Sequence, residues 1–301
     1  MLRIQNSLSF RDPAGREYRT KSMILMLRDN AKLYTVANND RYVFVHFPNE
    51  NYPSESEIQT MCNSFSTQTA EANVLWPERP CFNIEDDQFC GFLAKQLDFS
   101  GEFTPLSRLM ESDSLISLST EQRLSIGLGL AGCFHAVHKV PRGYLLGAPQ
   151  PRDFHVSQDG RVFYLYAYRH DMDFTGQQNS LYLAPEYRSM QQRNLSVKSD
   201  AFSFAVMLFV LLTGVFPFGT HNPGMEFDNE VIADMILNGE SLYYYESSQK
   251  TIETEQLLMD ISPELAGLFR QTFDYCGKIR YDENRPTMDA WINVLTGTLK
   301  K

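Results

Sequence analysis

Residues 198–214 read KSDAFSFAVMLFVLLTG, a charged head followed by a long apolar run that closes on Gly. The apolar character carries on to Phe218, but Ser203, Thr213, Gly214 and Pro217 interrupt it. It therefore falls short of the ~20 apolar residues that a membrane-spanning helix needs. The pattern predicts instead a helix that is apolar on all sides and buried inside a large domain.

Composition agrees with a domain of that kind. The chain has 301 residues, of which 43% are hydrophobic, ample for a core and too many for general disorder. A net charge of -10 argues against a sequence-independent grip on nucleic acid or on an anionic membrane, and an exclusively acidic partner is disfavoured as well. The five cysteines, Cys62, Cys81, Cys90, Cys133 and Cys276, are odd in number and scattered. They signal neither a disulfide framework nor a zinc site. The opening MLRIQNSLSFRDPAGREY has no basic region followed by an apolar run, so no secretory leader is visible and the cytoplasm is the expected location.

Working back from the buried helix, the first hundred residues read as short strands with one helix. Leu33–Ala37 and Tyr42–Phe47 are rich in β-branched and aromatic residues, and Asn38-Asn39-Asp40 between them supplies a tight turn, so an antiparallel pair is predicted. After Pro53, the residues Ile58, Met61, Cys62 and Phe65 recur at helical spacing, with Ser54 and Glu57 placed as a capping box. Asn73–Trp76 and Phe89–Leu97 read as further strands around a turn at Glu85-Asp86-Asp87. From Phe103 the pattern becomes helical. Thr120 to Val140 has Leu124, Leu128, Ala131, Phe134 and Val137 on one face, and further helices are expected at 199–213, 229–238, 263–275 and 287–298.

Between these helices, residues 145–171 read LLGAPQPRDFHVSQDGRVFYLYAYRHD. Small turn residues and prolines lead into a short strand, an Asp159-Gly160 turn and a second strand over 162–168. That is the rhythm of a catalytic loop feeding a hairpin.

Three motifs follow in order: Leu183-Ala184-Pro185-Glu186, then Asp200 at the head of the apolar helix, then Asn284-Arg285-Pro286-Thr287. Together they resemble the protein kinase fold, in its bacterial Ser/Thr branch. The resemblance implies an α+β, two-lobed kinase-like domain over 1–301, with a small β-rich N-lobe (1–98) and a larger helical C-lobe (99–301). It implies a buried ion pair between Glu186 and Arg285, and an Asp200 that accepts hydrogen bonds from catalytic-loop amides.

Setting the loop against the kinase pattern, His-x-Asp with Asn five residues later, places Leu146 at the His, Ala148 at the catalytic Asp and Asp153 at the metal-binding Asn. Eighteen residues beyond Ala148 stands Tyr166, where the resemblance requires the metal-binding Asp. The three glycines of the phosphate-covering loop become Met26, Arg28 and Ala31, whose side chains would obstruct close backbone approach. The Lys of the next strand becomes His46, Phe44 would fill part of the adenine slot, and His155 would alter its other face. No catalytic residue, metal or cofactor is expected at this degenerate site.

The expected function is therefore a catalytically inactive pseudokinase that acts as a protein-binding, regulatory scaffold without normal ATP binding. The resemblance implies an unidentified protein partner, with a kinase and a phosphatase among the candidates, and the net charge of -10 argues against nucleic acid and membrane. The alternative is an atypical nucleotide- or metal-dependent transferase built on Asp153 with His155, His170, Asp171 and Asp173. Tyr243-Tyr244-Tyr245 is open to two readings, a contact patch or packing within the helical part, and the loop 221–228 is a further candidate surface.

Overall fold

A computed structural model of the chain describes residues 7–27, 30–48, 53–64, 73–98, 103–141, 143–147, 149–165, 167, 181–188, 196–219, 228–245, 248–273 and 285–301. Six strands come first: β1 (Ser9–Arg11), β2 (Glu17–Met26), β3 (Lys32–Val36), β4 (Tyr42–His46), β5 (Pro77–Asn83) and β6 (Phe89–Lys95), with α1 (Glu55–Cys62) between β4 and β5. The Asn38–Asp40 turn joins β3 to β4 as an antiparallel pair, with Tyr34 opposite Phe44. The Ser54 and Glu57 side chains complete a capping box on α1.

The structure overturns the expectation of a kinase-like, two-lobed fold. The mixture of helix and strand is as expected for an α+β chain. The strands, however, close into an antiparallel barrel in the order β1-β2-β3-β4-β6-β5. Closure comes from β1, which pairs with β2 on one side (Phe10 opposite Tyr18) and with β5 on the other (Phe10 opposite Asn83, Arg11 opposite Phe82). Through these few pairs the short β1 bridges the two ends of the sheet.

Side-chain alternation explains why the barrel holds. Along β4 the residues point alternately to two cores: Val43 and Val45 join the main hydrophobic cluster, whereas Tyr42 and Phe44 join a second one with Phe10, Val36, Cys81 and Leu93. Inside it, the Phe10 ring stacks on Phe44 at 3.8 Å and on Tyr18 at 5.5 Å. Asp12, which is wholly buried, ties the turn after β1 to β5: it receives hydrogen bonds from the Ala14 and Arg16 amides at 3.0 Å and from Arg79 Nη1 at 2.8 Å. Burial alone would raise its pKa, but these bonds outweigh burial and hold the carboxyl below its ordinary range. Gly91 on β6 lets β4 approach closely, since a Cβ there would sit 1.9 Å from the Val45 carbonyl oxygen.

The segment 73–76, expected as a strand, contributes a single bridge from Val74 to Tyr164, and the strand begins at Pro77. Trp76 is buried here, its indole N–H donating to the Met61 carbonyl at 3.0 Å and its ring set edge-on to Tyr144.

A second antiparallel sheet orders β7 (Phe103–Pro105), β8 (Phe154–Ser157) and β9 (Val162–Tyr164). Around it lie α2 (Leu106–Leu109), α3 (Ser112–Ile116), α4 (Thr120–His138), α5 (Pro185–Arg188), α6 (Val197–Thr213), α7 (Asn229–Asn238), α8 (Gln249–Ile261), α9 (Pro263–Phe273) and α10 (Met288–Leu299). Ser119 and Gln122 cap α4, one residue ahead of the expected opening. The helix α6 is the one anticipated from KSDAFSFAVMLFVLLTG; Ser199 to Phe209 are buried without interruption, and Gly214 ends it in the left-handed region at φ 69°. Its rings interlock with neighbours, Phe204 against Phe134 and Trp291, and Phe209 against Phe269 and Phe273. Among the described residues, no helix is long and apolar enough to cross a membrane.

Candidate functional site

The head of α6 carries Asp200, which has no solvent exposure. Its Oδ2 accepts from the Leu146 amide at 2.7 Å and its Oδ1 from the Gly147 amide at 3.1 Å. Oδ2 also lies 2.9 Å from Nε2 of His138, at the end of α4. The carboxylate thus pins the chain at Leu146-Gly147 to two helices at once. Burial raises the Asp200 pKa, and His138 with the two amides offsets this only in part. His138 escaped the sequence reading.

Asp153 closes the short 3-10 turn Pro151–Asp153 and is 3% exposed. Its Oδ2 accepts from the Gln150 amide at 2.8 Å. An acidic side chain bonded in this way shapes a turn; it does not face open solvent. Ala148 and Tyr166, the two positions where the chemistry was expected to have been lost, lie outside the described residues, as do Arg28, His170, Asp171, Asp173 and the loop 221–227.

Glu186 and Arg285, 99 positions apart, form a bidentate pair: Nη1 to Oε1 at 2.5 Å and Nη2 to Oε2 at 3.0 Å. Nη1 also reaches the Lys198 carbonyl at 3.2 Å, and the guanidinium lies 5.0 Å from the centre of the Phe202 ring. The pair therefore clamps α5 and the segment before α10 onto the first turn of α6.

Of the residues assigned to a nucleotide slot, Met26, Ala31, Phe44 and His46 lie on or beside the adjacent strands β2, β3 and β4, and His155 lies on β8. Phe44 is in the barrel interior against Phe10, where it plugs the barrel. Ala31 is fully buried in the main core, and Met26, at the end of β2, is 57% exposed. His46 ends β4 with its ring 6.4 Å from Tyr34 and 5.9 Å from Phe44. His155 is buried on β8, opposite Phe163 and Pro105. In both histidines Nδ1 is buried without a hydrogen-bond partner. Burial lowers each pKa to about 4, with Lys32 adding to the effect at His46.

Burial also pushes the Cys62, Cys90 and Cys133 thiols up to about 12, so they stay protonated and weakly nucleophilic near neutrality. Among the described residues, no cluster of three or more His, Cys, Asp or Glu side chains could hold a metal ion. The tyrosine run divides: Tyr243 is buried under the Arg270 guanidinium at 5.2 Å, whereas Tyr244 is 56% exposed.

No protein-family model matches the chain, and no curated protein matches it. With the barrel closed and no family match, the kinase resemblance is set aside as a description of this protein. The contacts of Asp200, Glu186 and Arg285 stand on their own geometry.

Proposed function

We propose that the chain works as a protein-binding, regulatory module and not as an enzyme. The observation that carries this reading is the Asp200 network, whose two carboxylate oxygens are engaged by the Leu146 and Gly147 amides and by His138. A group that accepts from two backbone amides in a dry interior fixes a loop; proton transfer instead calls for a group poised near the working pH and within reach of substrate. His46 and His155, with pKa values of about 4, are weak bases at neutral pH. We further propose that the chain binds no nucleotide or metal as a cofactor.

Contact area for a partner is available on α8, which exposes Ile252, Leu257 and Met259. Four described cysteines are free thiols, which fits work in a reducing compartment, and we place the protein in the cytoplasm. With the kinase resemblance set aside, neither a kinase nor a phosphatase is favoured as the partner.

The test pairs two measurements. Thermal unfolding with ATP or GTP and Mg2+ or Mn2+ is expected to show no shift, and labelled ATP no transfer. Partners crosslinked to the wild-type chain in cells are expected to be lost from an Ile252→Glu, Met259→Glu variant that unfolds at the wild-type temperature. Phosphate transfer that disappears in Asp153→Asn would overturn the reading.

A further inference from the structure

Away from the Asp200 centre, a cavity of about 300 Å³ opens between α4 and the turn that joins β8 to β9. Its apolar lining is Leu109, Leu118, Ile126 and Val156; Ile126 and Val156 are buried and the two leucines half-buried, so this side forms the floor. The mouth is polar, with Gln122, Ser125 and Gln158 exposed and Thr104 half-buried. The volume is at the lower end of the range for pockets that take small organic molecules, and an apolar floor with a few polar groups on one side is their usual make-up.

The polar groups at the mouth are largely uncommitted. Gln122 uses its side-chain oxygen to accept from the Ser119 amide, which leaves its NH2 free to donate. The side chains of Thr104, Ser125 and Gln158 make no hydrogen bond to another described residue. They present both donors and acceptors without a charge.

The charge at the rim is already paired. Asp159 is the charged residue of the lining, and it is already engaged by Ser157 Oγ and, at 2.8 Å, by Arg161 Nε. Arg161 in turn reaches Asp98 at 3.0 Å. A ligand carboxylate would meet Asp159, and because Arg161 already pairs with that carboxylate, a ligand ammonium would gain little from it.

We propose that this cavity is a binding site for a small neutral amphipathic molecule, with a ring or short branched chain on the Leu109, Leu118, Ile126 and Val156 floor and a hydroxyl or amide at the mouth. It shares no residue with the Asp200 network and does not depend on the reading of the chain as a protein-binding module.

Four probes with the same phenylpropyl body test the proposal: phenylpropanol, phenylpropanamide, phenylpropanoate and phenylpropylamine, titrated by ligand-observed NMR against the full chain. The alcohol and amide are expected to bind saturably at millimolar concentration or below, at least roughly fivefold tighter than the two ions, about one kcal/mol. Ser125→Trp, an exposed helix position, is expected to fill the mouth and abolish binding while the unfolding temperature stays within a degree or two of wild type. Should that variant fail to fold, Gln158→Trp on the exposed turn serves the same purpose. Thr104→Val is expected to weaken the alcohol by roughly three- to tenfold, the loss of one hydrogen bond. The proposal is overturned if neither neutral probe saturates, if the ions bind as tightly, or if a folded Trp variant binds unchanged.

Discussion

Replacing Arg285 with Ala strands the Glu186 carboxylate in a site where the two side chains are only 10% and 5% exposed. Leaving one partner of a buried pair uncompensated costs about 3–5 kcal/mol, far more than an exposed pair is worth. The same change removes the bond to the Lys198 carbonyl and the guanidinium over Phe202, so the upper half of that range is expected. For a chain of 301 residues, that is a fall in unfolding temperature of about 6–8 °C. Glu186→Leu combined with Arg285→Met removes both charges and keeps the volume filled, and it is expected to recover at least ~2 kcal/mol relative to Arg285→Ala. Urea unfolding followed by far-UV circular dichroism measures both variants. A double variant as unstable as the sum of its single changes, or an Arg285→Ala cost below ~1 kcal/mol, would refute the stranded-charge reasoning.

Two further outcomes follow from the barrel and the histidines. Phe44→Ala is expected to destabilise by about 3–5 kcal/mol, because it empties the barrel interior against Phe10; if the ring instead blocked a nucleotide slot, the variant would gain ATP-dependent thermal stabilisation. His155 has a folded-state pKa of about 4, below its ordinary 6.5, so between these values the unfolded chain binds the proton and the native chain does not. Stability is therefore full above about pH 6.5 and falls by on the order of 3 kcal/mol as pH drops to about 4. The half-buried His46 adds a smaller loss of the same sign, and Asp200, whose pKa is raised, works in the opposite direction as its carboxylate is protonated. Urea midpoints at several pH values check the slope; a flat profile between pH 7 and 5 would count against buried neutral histidines.

Much of the local structure was legible because its signals are local. The capping box at Ser54 and Glu57, the Asn38–Asp40 turn and α7 at Asn229–Asn238 all match the residues that suggested them. The uninterrupted apolar run of α6 announced its burial. Among the elements missing from the sequence reading are β1, β2, β5 and α8, and β7 (Phe103–Pro105) is a strand where the pattern was read as turning helical. β1 is three residues long and gains its meaning from partners far along the chain, so no local period reveals it. β5 reads PERPCFN, and Pro77 and Pro80 argue against a strand although the barrel accommodates them. In α8 the buried residues are Thr251, Thr254 and Leu258, a stripe too polar to register as a hydrophobic face. Missing β1 and β5 meant missing closure, and with it the reason Phe44 is large. At the candidate site, Asp200, Glu186 and Arg285 were found through motif order, whereas His138 was passed over because a lone His on a helix carries no signal until its partner is in place.

The central claim is that Asp200, His46 and His155 hold backbone and packing in place and are not poised for proton transfer. A pH titration of the histidine ring protons by NMR, from pH 8 down to pH 5, tests it most directly. His46 and His155 are expected to remain neutral throughout, with no inflection near 6.5. A midpoint between pH 6 and 7 for either ring would show a group poised for proton transfer at physiological pH and would contradict the account.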